Sequence, residues 1–172
     1  RLVGSEMCIR DRNTGIHWLD CSEIEECDLY CSRQAEEKIR EKIKPYGIHG
    51  IHFLDSGNYH YVTEIMTSQI QKEFQLVVFD HHTDMQKPMI EHMTSCGDWA
   101  EKVLETNPWL QQLVLIGPQA KDIEQLYREN DGLMNRKEIS EKLLTFSAEE
   151  IHTREDKNKI SKIKKNLPVY IS

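Results

Sequence analysis

Long hydrophobic runs are missing from this 172-residue chain: no stretch approaches the roughly 20 apolar residues of a membrane-spanning helix. No secretory signal pattern is visible either, so neither a membrane partner nor export is expected. Positive charge is in the minority, with 22 Lys and Arg against 29 Asp and Glu and a net charge of -7. That balance disfavours a nucleic-acid grip built on phosphate contacts. The one basic stretch, Lys157 to Lys165, interleaves Ile160 and Ile163 at helical spacing, which predicts the solvated face of an amphipathic helix. Paired cysteines are missing as well: the five stand at 8, 21, 27, 31 and 96. Reduced thiols in a cytoplasmic protein are expected, and Cys27 and Cys31 have no second pair with which to build a zinc site. Internal repeats and low-complexity segments are absent, and the length suits one domain with a substantial core.

What the chain has is an apolar strand that ends in potential metal ligands. Leu76, Val77, Val78 and Phe79 form an unbroken apolar run, as expected of a strand covered on both faces of a parallel sheet. Asp80, His81, His82 and Asp84 follow at its carboxyl end, where open α/β sheets place their ligands. A single His or Asp there is usually a cap or a turn former; four such side chains within five residues point to a metal site. If the segment is extended, alternate residues share a side, so Asp80, His82 and Asp84 converge while His81 points away. Carboxylate oxygen with neutral imidazole suits manganese, zinc or iron(II).

Around this strand the pattern alternates strand and helix. A first strand is expected around Ile16 to Leu19, a helix over Leu29 to Ile43, a strand over Ile48 to Leu54 and a helix over Tyr59 to Lys72. His49 and His52 precede the carboxyl edge and are expected to be flank or core residues. A helix over Asp98 to Thr106, a strand over Leu113 to Ile116 and helical character from Lys121 to Arg128 come next. Leu143 to Phe146 is read as a strand, Asp156 to Asn166 as the last helix and Val169 to Ile171 as a final strand. Together they predict a three-layer αβα fold with a mainly parallel sheet.

Asp80-His-His-Thr-Asp84 after an apolar strand resembles the Asp-Ala-His-x-Asp signature of the arginase and agmatinase family, the ureohydrolases. One helix earlier, Gly57-Asn-Tyr-His60 resembles a diverged form of that family's Gly-Gly-Asp-His motif. The resemblance covers residues 13 to 172, and Pro168 to Ser172 is similar to the strand leading into the family's second Asp-x-Asp motif. It implies that His60, Asp80 and Asp84 bind one manganese, and that His82 and bridging Asp80 bind a second. It also implies a small-molecule substrate, hydrolysis of a guanidino or related carbon-nitrogen bond by water acidified between two Mn2+ ions, and a possible homo-oligomer. Tyr59 and Asn58 stand where the family has Asp and Gly. Thr94-Ser-Cys-Gly-Asp-Trp99 takes the place of its Ser-Gly-Asn-x-His-Gly loop, whose proton-shuttling histidine has no counterpart within it. His92 is the nearby candidate for that role, set against the simpler reading of an exposed loop histidine.

Two other functions fit parts of the sequence. Val77 to His82 also resembles the third motif of Asp-His-His phosphoesterases, although the upstream His-x-x-x-Asp-x-Asp element is missing and His60 and Asp84 have no role in that scheme. A metal-dependent scaffold without catalysis is the non-enzymatic alternative. Residues 1 to 12 resemble translated adapter read-through and are set aside from the fold. Two aspartates after Ser172 would be needed to complete both ions, so residues 13 to 172 are expected to be the N-terminal part of an arginase-like domain, incomplete at the C-terminus and inactive alone.

Overall fold

The apolar strand singled out by sequence is an interior strand of a four-stranded sheet; Leu76 and Val78 are buried on one face, while on the other Val77 is half-buried and Phe79 is exposed, so the expected cover on both faces is incomplete. The computed structural model describes residues 17–153, 157–164 and 166–172. In chain order the elements are β1 (Tyr30–Cys31), α1 (Arg33–Ile43), a 3-10 turn (Gly57–Tyr59), α2 (Val62–Thr67), β2 (Phe74–Phe79), β3 (Thr94–Ser95), α3 (Trp99–Thr106) and β4 (Leu110–Ile116). They continue with α4 (Ala120–Glu129), α5 (Asp131–Met134), α6 (Lys137–Ser140), β5 (Leu143–Phe146), α7 (Ala148–Thr153), α8 (Lys157–Ile160) and β6 (Val169–Ile171). The large sheet has the order β5-β4-β2-β6, and each neighbouring pair is parallel. From β2 the chain steps outward through β4 to β5, then returns to the other side of β2 as β6. That reversal makes the carboxyl end of β2 the place where such a sheet opens a crevice.

Alternation along the strands sorts the core. Leu76 and Val78 of β2, Leu113 and Leu115 of β4 and Leu143 of β5 join Ala35, Ile39, Ile43, Ile65, Trp99, Val103 and Leu104 in one large buried cluster. The alternate residues Val114, Leu144 and Phe146 form a second, smaller cluster, against which Val77, Ile116 and Ile163 pack. Among these second-face positions are two buried glutamines. Gln112 Nε2 donates to the Lys162 carbonyl at 3.0 Å and its Oε1 accepts from the Lys164 amide at 2.9 Å, while Gln75 donates to the Lys164 carbonyl. The glutamines thus satisfy the backbone of segment 162–164 against an otherwise apolar sheet face.

The helix boundaries follow local chemistry. Ser32 caps α1 by accepting the Ala35 amide at 3.2 Å, so that helix begins at Arg33 rather than Leu29, and it ends just before Pro45. The helix expected over residues 59–72 is shorter, a 3-10 turn followed by α2. The segment read as a helix over 156–166 is helical only at Lys157–Ile160 among its described residues. Two expected strands are not found. Residues 17–19 are irregular, as is Ile48 to Leu54, where Ile51 is 85% and Phe53 92% exposed. Strand alternation there meets no pairing strand, and without cross-strand neighbours the pattern has no sheet to join. Residues 1–16, including the supposed extension and Ile16, lie outside the described residues. No helix among the described residues is long and apolar enough to cross a membrane.

Candidate metal centre

The site is built where β2 ends. The Asp80 amide donates to the Ile116 carbonyl at 3.1 Å, extending the β2–β4 pairing to the first ligand candidate. Gly117 follows β4 at φ +111°, and a Cβ there would lie 2.8 Å from the Asp80 carbonyl oxygen. Glycine is therefore demanded twice, by backbone angle and by space. After Asp80 the chain does not stay extended: the His82 amide donates to Asp80 Oδ1 at 2.9 Å, closing an Asx turn, and Asp84 adopts φ 49°. Asp84 is then fixed by α3, whose Ala100 amide donates to the Asp84 carbonyl at 3.0 Å.

His60 comes from a different part of the chain. It follows the 3-10 turn and leads into α2, with its amide donating to the Gly57 carbonyl and its carbonyl accepting from Thr63. Its Nδ1 lies 2.8 Å from Asp84 Oδ2 and 3.1 Å from Asp80 Oδ2. These three residues form a group whose ligand atoms all fall within 4.8 Å of one another, with Asp84 buried. Nitrogen and oxygen ligands about 2.0–2.2 Å from an ion stand roughly 3 Å apart along an edge of its coordination polyhedron. The spacing and the donor set both fit a divalent ion of intermediate hardness. Burial of the imidazole opposes its protonation, but hydrogen bonding and charge from Asp84 and Asp80 outweigh that effect and raise the His60 pKa. A divalent ion at Nδ1 would compete with a proton for that nitrogen.

The surroundings orient these ligands. His60 Nε2 is 3.0 Å from Ser172 Oγ, which is 2.6 Å from Thr63 Oγ1. If that nitrogen is the donor, Nδ1 is left as the nitrogen facing the carboxylates. Ser172 reaches this position because β6 pairs with β2: its amide donates to Val77 and its carbonyl accepts from Phe79, each at 2.9 Å. Trp99 is fully buried; its indole N–H donates to Asp84 Oδ2 at 2.7 Å, and its ring lies 4.7 Å from that of His60. Behind the site, Lys102 Nζ contacts Glu36 Oε2 at 3.0 Å, Glu64 Oε2 at 3.3 Å and Thr94 Oγ1 at 2.9 Å. One ammonium so ties α1, α2, β3 and α3 together.

Of the four metal ligands expected from sequence, His60, Asp80 and Asp84 converge and His82 does not join them. Its side chain is 69% exposed, and its Nδ1 lies 3.2 Å from Asp80 Oδ1, the opposite oxygen from the one facing His60. The Asx turn explains this, because alternate residues share a side only in an extended segment. His81 is exposed beside Gln119, 2.9 Å between their Nε2 atoms. His92 is exposed on the loop at φ 66° and belongs to no such cluster. Burial and then the Asp84 charge push the Cys96 thiol pKa upward, which makes it a poor nucleophile at neutral pH. Sequence reasoning missed Trp99, Ser172 and Thr63. Trp99 gave one usable signal: an indole on the apolar face of a helix needs a partner for its N–H once buried.

No protein-family profile matches the chain, and no solved structure matches it. An uncharacterized protein of Thermotoga maritima is similar, 33% identical over 73 residues, which are 42% of this chain. That stretch spans 29% of the length of the relative.

Proposed function

We propose that this chain carries an arginase-like, three-layer α/β domain in which His60, Asp80 and Asp84 hold a divalent ion, Mn2+ by preference. The domain would serve to hydrolyse a guanidino or related carbon-nitrogen bond of a small molecule. The supporting observation is the convergence of His60, from the second motif, with Asp80 and Asp84 of the first at the carboxyl edge of β2. The phosphoesterase alternative gives His60 no role, so this convergence favours the ureohydrolase-like reading. A bound metal acidifies water and stabilises charge on the attacked carbon's substituents. The chain's own part is to hold His60 as an Nδ1 ligand through Ser172, to fix Asp84 through α3 and to keep Asp80 at the strand end. Free thiols at Cys21, Cys27, Cys31 and Cys96 suit a reducing compartment, and we place the protein in the cytoplasm.

The binuclear form of the centre asks for more negative charge than Asp80 and Asp84 supply, since two divalent ions cannot be balanced by two carboxylates. The expected behaviour of these 172 residues is therefore binding of one ion with negligible turnover. Purified protein is titrated with Mn2+ and assayed for urea release from a panel of guanidino compounds and for cleavage of a phosphodiester. One bound ion per chain, with no urea release beyond that of His82→Ala, is the expected result. Manganese-dependent urea release well above that control contradicts the inactivity, phosphodiester cleavage moves the reading to the phosphoesterase, and failure to bind metal removes the hydrolase reading.

A further inference from the structure

We propose that Lys102 is a positioning residue for the metal centre: its ion pair with buried Glu64 sets α2 against α3 and so holds His60 at Asp84. This inference rests on the metal reading of His60, Asp80 and Asp84. Two segments flank the site. From Gly57 to Thr67 the chain is one helical run, in which the His60 amide donates to the Gly57 carbonyl, Thr63 to His60 and Glu64 to Tyr61. A shift of Glu64 therefore carries His60 with it. On the other side α3 holds Asp84, its carbonyl through the Ala100 amide and its carboxylate through the Trp99 indole.

Polar contacts between the two segments recur once per turn. His60 Nδ1 and the Trp99 indole N–H meet at Asp84 Oδ2, at 2.8 and 2.7 Å. One turn on, Glu64 Oε2 lies 3.3 Å from Lys102 Nζ. A further turn on, Asn107 Nδ2 donates to the Thr67 carbonyl at 3.0 Å. The steps from His60 to Glu64 to Thr67, and from Trp99 to Lys102, are those that keep side chains on one stripe of a helix. Apolar residues buried with them, Ile65 and Val103 among them, attract without direction. Register between the helices thus falls to the polar rungs, and the Lys102 rung is next to the metal centre.

This rung is also the hardest to give up. Glu64 is 6% exposed, and among the described residues no hydrogen bond reaches its Oε2. The ammonium that compensates it is itself anchored, by Glu36 Oε2 at 3.0 Å and Thr94 Oγ1 at 2.9 Å. Deleting the ammonium strands a buried carboxylate, which costs more than one hydrogen bond between His60 Nε2 and Ser172 can oppose. Helix α2 gives way, and His60 moves from Asp84.

The test measures Mn2+ affinity of the 172-residue protein, of Lys102→Met and of the charge-neutral pair Lys102→Met/Glu64→Gln, each checked for folding by circular dichroism. Expected is Mn2+ binding by the unaltered protein, weakened about tenfold or more in both variants, the scale seen for residues that orient metal ligands. Charge alone predicts the opposite for Lys102→Met, because losing a nearby cation favours an incoming one. Unchanged or tighter binding by a folded variant therefore overturns the proposal and leaves the metal site standing. Saturated with Co2+, whose visible bands report ligand geometry, the variants should show shifted bands; a residue that only stabilises the fold leaves the bands in place, and that result also overturns the proposal. Should Lys102→Met fail to fold, the double variant, which buries no lone charge, decides. Absence of Mn2+ binding by the unaltered protein overturns both this inference and the metal reading.

Discussion

In the proposed centre, proton and metal compete for a single nitrogen of His60. Its pKa is raised in the folded chain despite burial, because Asp84 and Asp80 favour the imidazolium. A raised folded-state pKa contributes stability that is fully present below the ordinary imidazole value, about 6.5, and is lost as pH rises through the folded value. Metal affinity has the opposite sign, because an ion binds only the deprotonated nitrogen. In titrations between pH 5.5 and 8.5, affinity for Mn2+ should climb steeply until His60 has lost its proton and then level off, and His60→Ala should remove that dependence together with the binding. Ser172→Ala, which deletes the partner of His60 Nε2, should weaken Mn2+ binding by about tenfold, as losses of such outer contacts do. His82→Ala and His92→Ala should leave the first ion bound with affinity nearly unchanged, since neither residue faces it. At this scale residue type and order pointed to His60, Asp80 and Asp84, which the fold brings together. The extended segment that would have brought His82 to the same side as Asp84 is broken by the Asx turn at Asp80, a hydrogen bond that no periodicity records, and His82 stays beside Asp80 Oδ1 instead.

The elements hold the site through close approaches. Gly117 passes the Asp80 carbonyl where no Cβ fits, so Gly117→Ala should destabilise the fold by about 1–3 kcal/mol and weaken metal binding at the same time. Equilibrium denaturation and Mn2+ titration of the same sample check both effects. Helix α3, which carries Trp99, also carries Glu101, whose Oε2 is buried without a hydrogen-bond partner. Burial first, then Glu105 and Asp98, push its pKa up to about 7. Folding therefore disfavours its ionisation, and the chain loses stability as pH rises from the ordinary carboxylate value through about 7. Glu101→Gln should melt higher than the unaltered protein at pH 8 and with nearly no difference at pH 4.5. Strands β2, β4, β5 and β6 were legible as short apolar runs. Ile48 to Leu54 shows the same alternation and stays irregular, because alternation reports which side chains share a face and says nothing about whether a partner strand exists.

For the whole molecule, the sheet order places two chain segments distant in sequence at one edge: the end of β2 with Asp80, and the end of β6 with Ser172 against His60. Neither β6's return to the far side of β2 nor the docking of α3 onto Asp84 can be read from local pattern, since both depend on contacts between segments far apart in the chain. The two faces of the sheet also differ. One is covered by α1, α2 and α3, whereas the other leaves Phe79 59%, Val169 53% and Ile171 72% exposed around the glutamine-held segment. A site assembled from three separated segments should lock the fold when it is filled. An ion bound to the native state alone, at 100 times its Kd, stabilises by about 2.7 kcal/mol, and a chain of this size melts roughly 2–4 °C higher for each kcal/mol. Thermal unfolding with and without Mn2+, run on the unaltered protein beside Asp84→Asn, tests the metal centre most directly. A rise of about 5–10 °C in the unaltered protein and none in Asp84→Asn is the predicted result. The same rise in both, or in neither, would contradict a metal held by His60, Asp80 and Asp84.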